Sequence, residues 1–236
     1  MENEESTVML ISADDMKAKF TSILIREGFT QDKALRCATI FTETSVDGIY
    51  THGVNRFPRF VEYVKRGFVK ADAMPSLENK FGGIEQWNGN LGPGILNALF
   101  ATETAIGLAK QHGIGCVALR NTNHWMRGGT YAWEAAKKGF VFIGWTNTIA
   151  NLPAWGAKDG RLGNNPLVMA LPNNNEAIVL DMAMSQYSYG ALELSAMQNE
   201  TLAVHGGFDI NNELTKDPSA ILETGRALPV GYWKGA

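Results

Sequence analysis

His52 stands between Thr51 and Gly53 in the run Asp47-Gly48-Ile49-Tyr50-Thr51-His52-Gly53-Val54-Asn55-Arg56-Phe57-Pro58-Arg59-Phe60, with the guanidiniums of Arg56 and Arg59 just downstream. An imidazole titrates near neutrality and can hand a proton to an oxygen. A guanidinium grips a carboxylate through two parallel hydrogen bonds. Reduction of a 2-oxo acid needs both: a proton for the carbonyl oxygen as hydride arrives, and a hold on the carboxylate. A charged surface turn would have the same composition, so the elements around the run have to decide.

Asp181 is the second residue of interest. It closes the apolar run Ile178-Val179-Leu180 and precedes a helical pattern. A carboxylate there can hold an imidazole in one tautomer and stabilise its charged form, or it can cap the following helix. His124 and Arg127 lie in the glycine-flanked loop Asn123-His124-Trp125-Met126-Arg127-Gly128-Gly129, which either lines a pocket or only turns the chain. His112 beside Gly113 marks a helix C-terminus, and His205 reads as surface. Gly92-Pro93-Gly94 before a helix suggests a dinucleotide loop, but Asn97 stands in place of a third glycine. The next strand also ends in Arg120-Asn121 rather than an acid. A Rossmann site needs both features.

Several classes drop out on composition. The chain has 236 residues, with 45% hydrophobic and 19% charged, an ordinary balance for a soluble globular protein of one large or two small domains. A net charge of -3 and scattered Lys and Arg argue against a nucleic-acid footprint. No Walker A, H-E-x-x-H, C-x-x-C or G-x-S-x-G pattern occurs, so no metal, phosphoryl-transfer or serine-hydrolase site is expected. Cys37 and Cys116 sit in apolar segments and are expected to be buried free thiols in a reducing compartment. The acidic start Met1-Glu2-Asn3-Glu4-Glu5 is not a signal peptide. No apolar run reaches the roughly 20 residues that span a membrane. A cytoplasmic chain with no membrane partner is expected.

Periodicity gives the elements that must position these residues. Ser12 caps a helix with Met16, Phe20, Ile23 and Leu24 on one face, ended by Gly28. A second helix runs from Thr30 to near Gly48 with Ala34, Cys37, Ala38 and Phe41 inward. A third has Pro58 in its first turn and Phe60, Val61 and Val64 as its stripe. His52 therefore falls between two helices, where its side chain can face a cleft. Residues 68–93 are mixed, and a long helix spans 94–111. Ile114 to Leu119 reads as a buried strand, 121–129 as a polar loop, Thr130 to Lys138 as a helix and Phe140 to Thr146 as a strand. A loop runs to Pro166. Strands near Leu167–Leu171 and Ala177–Met182 flank an Asn173-Asn174-Asn175 turn. A helix covers Met184 to Met197, and the tail from Gly206 is irregular. The sum is an α/β chain.

From about Met16 onward the sequence resembles the malate/L-lactate dehydrogenase family that lacks the Rossmann fold. The resemblance rests on the His52 run and on Gly83-Ile84-Glu85-Gln86-Trp87, His112-Gly113-Ile114-Gly115, the 123–129 loop, Pro153-Ala154-Trp155-Gly156-Ala157-Lys158, Asp181-Met182-Ala183-Met184-Ser185 and Gly231-Tyr232-Trp233-Lys234-Gly235. It implies a mixed-sheet α/β fold, with an N-terminal helical region over 1–75 and a nicotinamide-binding α/β domain over 76–236. It also implies reduction of a 2-oxo acid, 2,3-diketo-L-gulonate or a similar sugar acid, with NADH, NADPH remaining open. By the same resemblance His52 is the proton donor, Asp181 pairs with it, and Thr51, Arg56 and His124 bind substrate. Ala177, Ile178, Val179, Leu180, Asp181, Met182, Ala183, Trp233 and Lys234 would meet the cofactor, and the protein would be a homodimer. Gly163-Asn164-Asn165-Pro166 departs from the family's Gly-Thr-Asn-Pro, so Asn164 bears on substrate preference. Family members continue beyond the Gly231–Gly235 block, so the chain reads as C-terminally truncated. An inactive remnant or a non-catalytic dimerisation partner is the alternative expectation.

Overall fold

A computed structural model describes residues 10–154, 157, 159–174 and 176–231. The chain divides into two compact units, Met1–Arg127 and Gly128–Ala236.

The first unit opens with α1 (Ala13–Arg26) and α2 (Gln31–Val46). Ser12 and Thr30 cap them, their side-chain oxygens accepting the Asp15 and Lys33 N–H groups. This satisfies amide donors that a helix start leaves without intrahelical partners. The apolar spacing read from the sequence is the buried face: Phe20, Leu24, Ala34, Cys37, Ala38 and Phe41 all lie in the core. α3 (Phe57–Lys65) follows, with Pro58 in its first turn as expected. Phe57 of α3 stacks on Phe20 with ring centroids 3.8 Å apart, and Phe41 meets Phe57 edge-on at 5.2 Å. Each such buried aromatic contributes roughly 1.5–3 kcal/mol of transfer free energy. This aromatic cluster is the floor on which the chain between α2 and α3 rests.

Residues 68–93, left without elements by the sequence, contain the hairpin β1 (Ser76–Phe81) and β2 (Ile84–Asn88). Every residue of β1 is exposed, so it lacks the alternation that betrays a strand. α4 (Gly94–His112) ends at Gly113, which takes a left-handed φ of 82°. β3 (Cys116–Arg120) pairs parallel to β2, completing a mixed sheet of order β1-β2-β3. The expected buried strand needs correction. Val117 and Leu119 are half-buried, while Cys116, Ala118 and Arg120 are exposed. The strand lies at the edge of the sheet with its outer face toward solvent. Cys116 is accordingly an exposed thiol, not a buried one, whereas Cys37 is fully buried.

In the second unit, α5 (Gly129–Lys137) leads into β4 (Phe142–Trp145). The stretch expected to be a loop up to Pro166 contains another hairpin, β5 (Ala150–Pro153) with β6 (Gly160–Gly163). β7 (Leu167–Asn173) and β8 (Glu176–Met182) form the expected antiparallel pair and join β4 in a sheet of order β4-β7-β8. α6 (Tyr189–Met197) starts five residues later than the sequence suggested. Residues 184–186 are instead tied to other segments: Ser185 bridges Pro229, the Met184 N–H donates to the Asn164 carbonyl, and the Gln186 N–H to that of Leu228. The helix then nucleates where the Ser188 hydroxyl accepts the Ala191 N–H. The tail expected to be irregular holds β9 (Gly207–Phe208), β10 (Leu214–Thr215) and α7 (Pro218–Thr224). Together with α6 these elements enclose a core of Leu152, Leu192, Leu202, Ile221 and Ala227. The expected mixed-sheet α/β architecture, rather than a doubly wound Rossmann sheet, is what the described residues form.

Candidate active site

The His52 turn is built on α2. Past Val46 the Ile49 carbonyl accepts the N–H groups of His52 and Gly53, both at 3.1 Å, and the Tyr50 carbonyl accepts that of Asn55. Ser45, buried near the end of α2, fastens the turn from below. Its hydroxyl donates to the Phe41 carbonyl at 2.8 Å and accepts the Val54 N–H at 2.9 Å. The turn lies so close to the helix that a Cβ on Gly53 would stand 2.3 Å from Ser45 Oγ. Gly53 therefore has a steric reason to follow His52.

Four of the expected site residues come together in this unit. Thr51 Oγ1 and His52 Nδ1 lie 3.0 Å apart. Arg56 Nε donates to the Thr51 carbonyl at 3.3 Å, tying the guanidinium to the same turn. The rings of His52 and His124 have centroids 5.7 Å apart. All of Thr51, His52 and Arg56 are half-buried, a setting in which a polar contact counts for more than at an open surface.

His124 is held by its own loop. The Met126 N–H donates to His124 Nδ1 at 2.9 Å, so a neutral ring has its proton on Nε2. Packing around the ring, with help from the charges of His52 and Arg56, pushes its pKa down to about 3. The residue is nonetheless exposed at the surface; with its pKa lowered, His124 is an uncharged Nε2–H donor at neutral pH. The loop is pinned at both ends. Asn123 Nδ2 donates to the carbonyls of Phe68, Leu91 and Gly92, and Arg127 pairs with Asp47 at the foot of the His52 turn. Gly94, the last glycine of the tempting G-x-G, has a different task. A Cβ there would come within 2.2 Å of the Asn123 and His124 carbonyls. Its bareness admits the His124 loop rather than a pyrophosphate.

Asp181 lies in the second unit. Strand alternation puts it on the same face of β8 as Ala177 and Val179, the face whose β7 partners Val168 and Ala170 are buried. Its Oδ2 accepts the Gly129 N–H at the start of α5 at 2.7 Å. This ties the carboxylate to the positive end of a helix dipole, though not to the helix after β8 that the capping alternative named. Ile178 and Leu180 face the other way and are exposed. Among the described strands β8 pairs only with β7, so its outer edge offers backbone N–H and C=O groups. Asn164 has its side-chain oxygen engaged by the Thr148 hydroxyl at 2.7 Å. Trp233 and Lys234 lie outside the described residues.

Residues 11–236 match the family model described as malate/L-lactate dehydrogenase. The chain belongs to the malate/L-lactate dehydrogenase family. It is 47% identical over 228 residues to the 2,3-diketo-L-gulonate reductases of Escherichia coli O139:H28 and Salmonella newport, which covers 97% of this chain and 68% of theirs. Among solved structures it superposes on the malate dehydrogenase of Entamoeba histolytica with a TM-score of 0.88 at 26% identity. On the sulfolactate dehydrogenase of Methanocaldococcus jannaschii the TM-score is 0.86 at 28% identity. Each superposition covers 94% of this chain, and the chain spans 63% and 64% of those two proteins.

Reading the sequence as a family member still missed the supports. Ser45, Asp47, Asn97 and Asn123 carry no supporting role in the sequence reading, though each fixes part of the site. Asn97 is fully buried, its Nδ2 donating to the Gly89 carbonyl and to Thr122 Oγ1. The available signal was a polar residue on the inward side of an apolar helix, since a buried amide needs partners. No described helix is long and apolar enough to cross a membrane.

Proposed function

We propose that this chain serves a 2-hydroxy-acid dehydrogenase that reduces a 2-oxo acid with NADH, with 2,3-diketo-L-gulonate or a similar sugar acid as substrate. The observation that carries the reading is the cluster of half-buried His52 and Arg56 with the neutral His124 on adjoining loops. The family and the reductase relatives support the choice of reaction and substrate.

The site residues divide the work by chemical type. His52 gives its Nε2 proton to the carbonyl oxygen as negative charge grows there, while Thr51 Oγ1 fixes the ring through Nδ1. Arg56 grips the substrate carboxylate and so orients the carbonyl. His124 offers Nε2–H to the carbonyl oxygen or to an adjacent oxygen. Being neutral, it donates a hydrogen bond without competing as an acid. Asp181 supports His52, as the family resemblance implies.

A reduced nicotinamide supplies hydride to the carbonyl carbon when bound. The edge of β8 fits such a group: it has no second strand partner among the described residues, and the small residues Ala177 and Ala183 lie near its ends. Exposed Ile178 and Leu180 add apolar contact area for flat rings. Trp233 and Lys234 join this proposal from sequence alone, and NADH is proposed over NADPH on the same basis. A homodimer and a cytoplasmic setting complete it. The exposed apolar residues Ile143, Trp145, Met169 and Leu171 of the same sheet form a surface for a second copy.

The test is NADH oxidation by the purified chain with 2,3-diketo-L-gulonate and the 2-oxo acids related to malate and lactate, with NADPH in parallel. Oxidation that depends on one of these acids is expected. Absence of oxidation with all of them, in a chain that circular dichroism shows to be folded, would overturn the reading. Sedimentation in the same buffer decides between dimer and monomer.

A further inference from the structure

The Arg127–Asp47 ion pair is the feature whose role the reaction does not explain. Asp47 is the C-cap of α2 and lies five residues before His52; Arg127 lies three residues after His124. The pair therefore joins the segments that hold the two imidazoles. We infer that Arg127 and Asp47 are positioning residues that set the spacing of His52 and His124. The inference rests on the reading of those imidazoles as proton donor and substrate contact.

Electrostatics makes a merely decorative pair hard to sustain. A helix C-terminus disfavours an anion and a helix N-terminus disfavours a cation. Asp47 is an anion at the C-terminus of α2, and Arg127 is a cation directly before Gly128, the N-cap of α5. Each charge thus stands at the less favourable helix end. Both would be better placed if exchanged. The Arg127 side chain is only 16% exposed, so its guanidinium is settled rather than waving in solvent. Asn123 already fixes the near end of the loop through three backbone carbonyls. Arg127 fixes the far end, and the His124 ring lies between the two anchors.

The test uses Arg127→Met, Asp47→Asn, their double variant and the exchange Asp47→Arg with Arg127→Asp. Two readouts are taken: kcat and KM for the reduced 2-oxo acid, and the nuclear Overhauser contact between the ring protons of His52 and His124. Each single variant is expected to lower kcat/KM about 10- to 100-fold, as a small misplacement of reacting groups does, and to weaken the contact between the rings. The double variant should be no worse than either single one, because both remove the same tether. The exchange should restore both readouts, since it rebuilds the pair and puts each charge at its preferred helix end. Unchanged ring contact in folded single variants would overturn the inference, and so would a folded exchange variant that restores neither readout. If the wild type reduces no 2-oxo acid, the proposed function falls and the ring contact still judges the tether.

Discussion

Substituting Gly53 by Ala gives the most direct test of how the fold holds His52. The added methyl would stand 2.3 Å from Ser45 Oγ, 2.9 Å from the Ser45 nitrogen and 3.1 Å from the Phe41 carbonyl oxygen. The first of these neighbours can turn away, but only by giving up its hydrogen bonds to Phe41 and Val54. The other two are helix backbone and move only with α2. Overpacking of this kind costs about 1–3 kcal/mol, and a lost hydrogen bond about 1 kcal/mol more. The turn should therefore be loosened by about 2–4 kcal/mol, equivalent to roughly 30-fold or more in local opening. Hydrogen exchange at the Val54 amide is the assay, since that N–H donates to Ser45 Oγ. Its protection should fall by at least that factor, with amides at the start of α1 unchanged. Adding Ser45→Ala removes the 2.3 Å clash but also the oxygen that accepts the Val54 N–H, so protection at Val54 should not return. Val54 exchange within about twofold of wild type would refute the account of Gly53 as a close-approach residue.

Other outcomes follow from the same geometry. His52→Ala should lower kcat by roughly 10²-fold or more with little change in cofactor affinity, measured by steady-state rates and NADH titration; near wild-type turnover would remove His52 from proton transfer. Arg56→Lys keeps the charge but loses the planar fork, so KM for the 2-oxo acid should rise; equal constants would refute the carboxylate grip. Of the two thiols, Cys116 should react quickly with an aromatic disulfide reagent in the native state and Cys37 only after unfolding, because Cys37 is buried and its pKa is pushed up to about 12. His124 is held well below its ordinary value of 6.5, at about 3. Between those values the unfolded chain binds a proton that the folded chain refuses, so stability rises with pH across that window and is lost on acidification. His124→Gln should flatten that part of a stability-against-pH curve, and an unchanged slope would refute the neutral-ring assignment.

The sequence disclosed what depends on helix periodicity and caps. Ser12, Thr30, Gly28 and Gly113 marked helix ends because each answers a local backbone need, whatever the rest of the chain does. Strands were legible where they carry an apolar run. β7 and β8 stood out through Leu167-Val168-Met169-Ala170-Leu171 and Ile178-Val179-Leu180, whereas β1 is exposed throughout and mixes charged with apolar residues. β5 and β6 hid in a segment rich in Gly, Pro and Asn. β3 was found but misjudged, because an apolar run of five or six residues does not say whether one face or both are covered. Of the site, the reacting types were legible and their supports were not. Ser45, Asp47 and Asn123 act across distances in sequence that no local pattern records.

The glycines show why motif reading and structure can agree on a position while differing on its cause. Gly53, Gly94 and Gly129 lie close to His52, His124 and Asp181 respectively, and each invites a reading as a ligand-cradling or turn glycine. Their common property is steric. A methyl on Gly53 would strike the helix beneath His52, one on Gly94 would strike the backbone of His124, and one on Gly129 would stand 3.0 Å from the Asp181 carboxylate and 2.7 Å from the Trp133 ring. None of the three takes a positive φ. Each site group is thus backed by a place where two backbone segments, or a backbone and a carboxylate, meet too closely for any side chain. Close contact is what gives a turn or loop the stiffness that an oriented proton donor needs. Alanine at these three positions should therefore impair function through misplacement of His52, His124 and Asp181, leaving the imidazole and carboxylate chemistry itself intact.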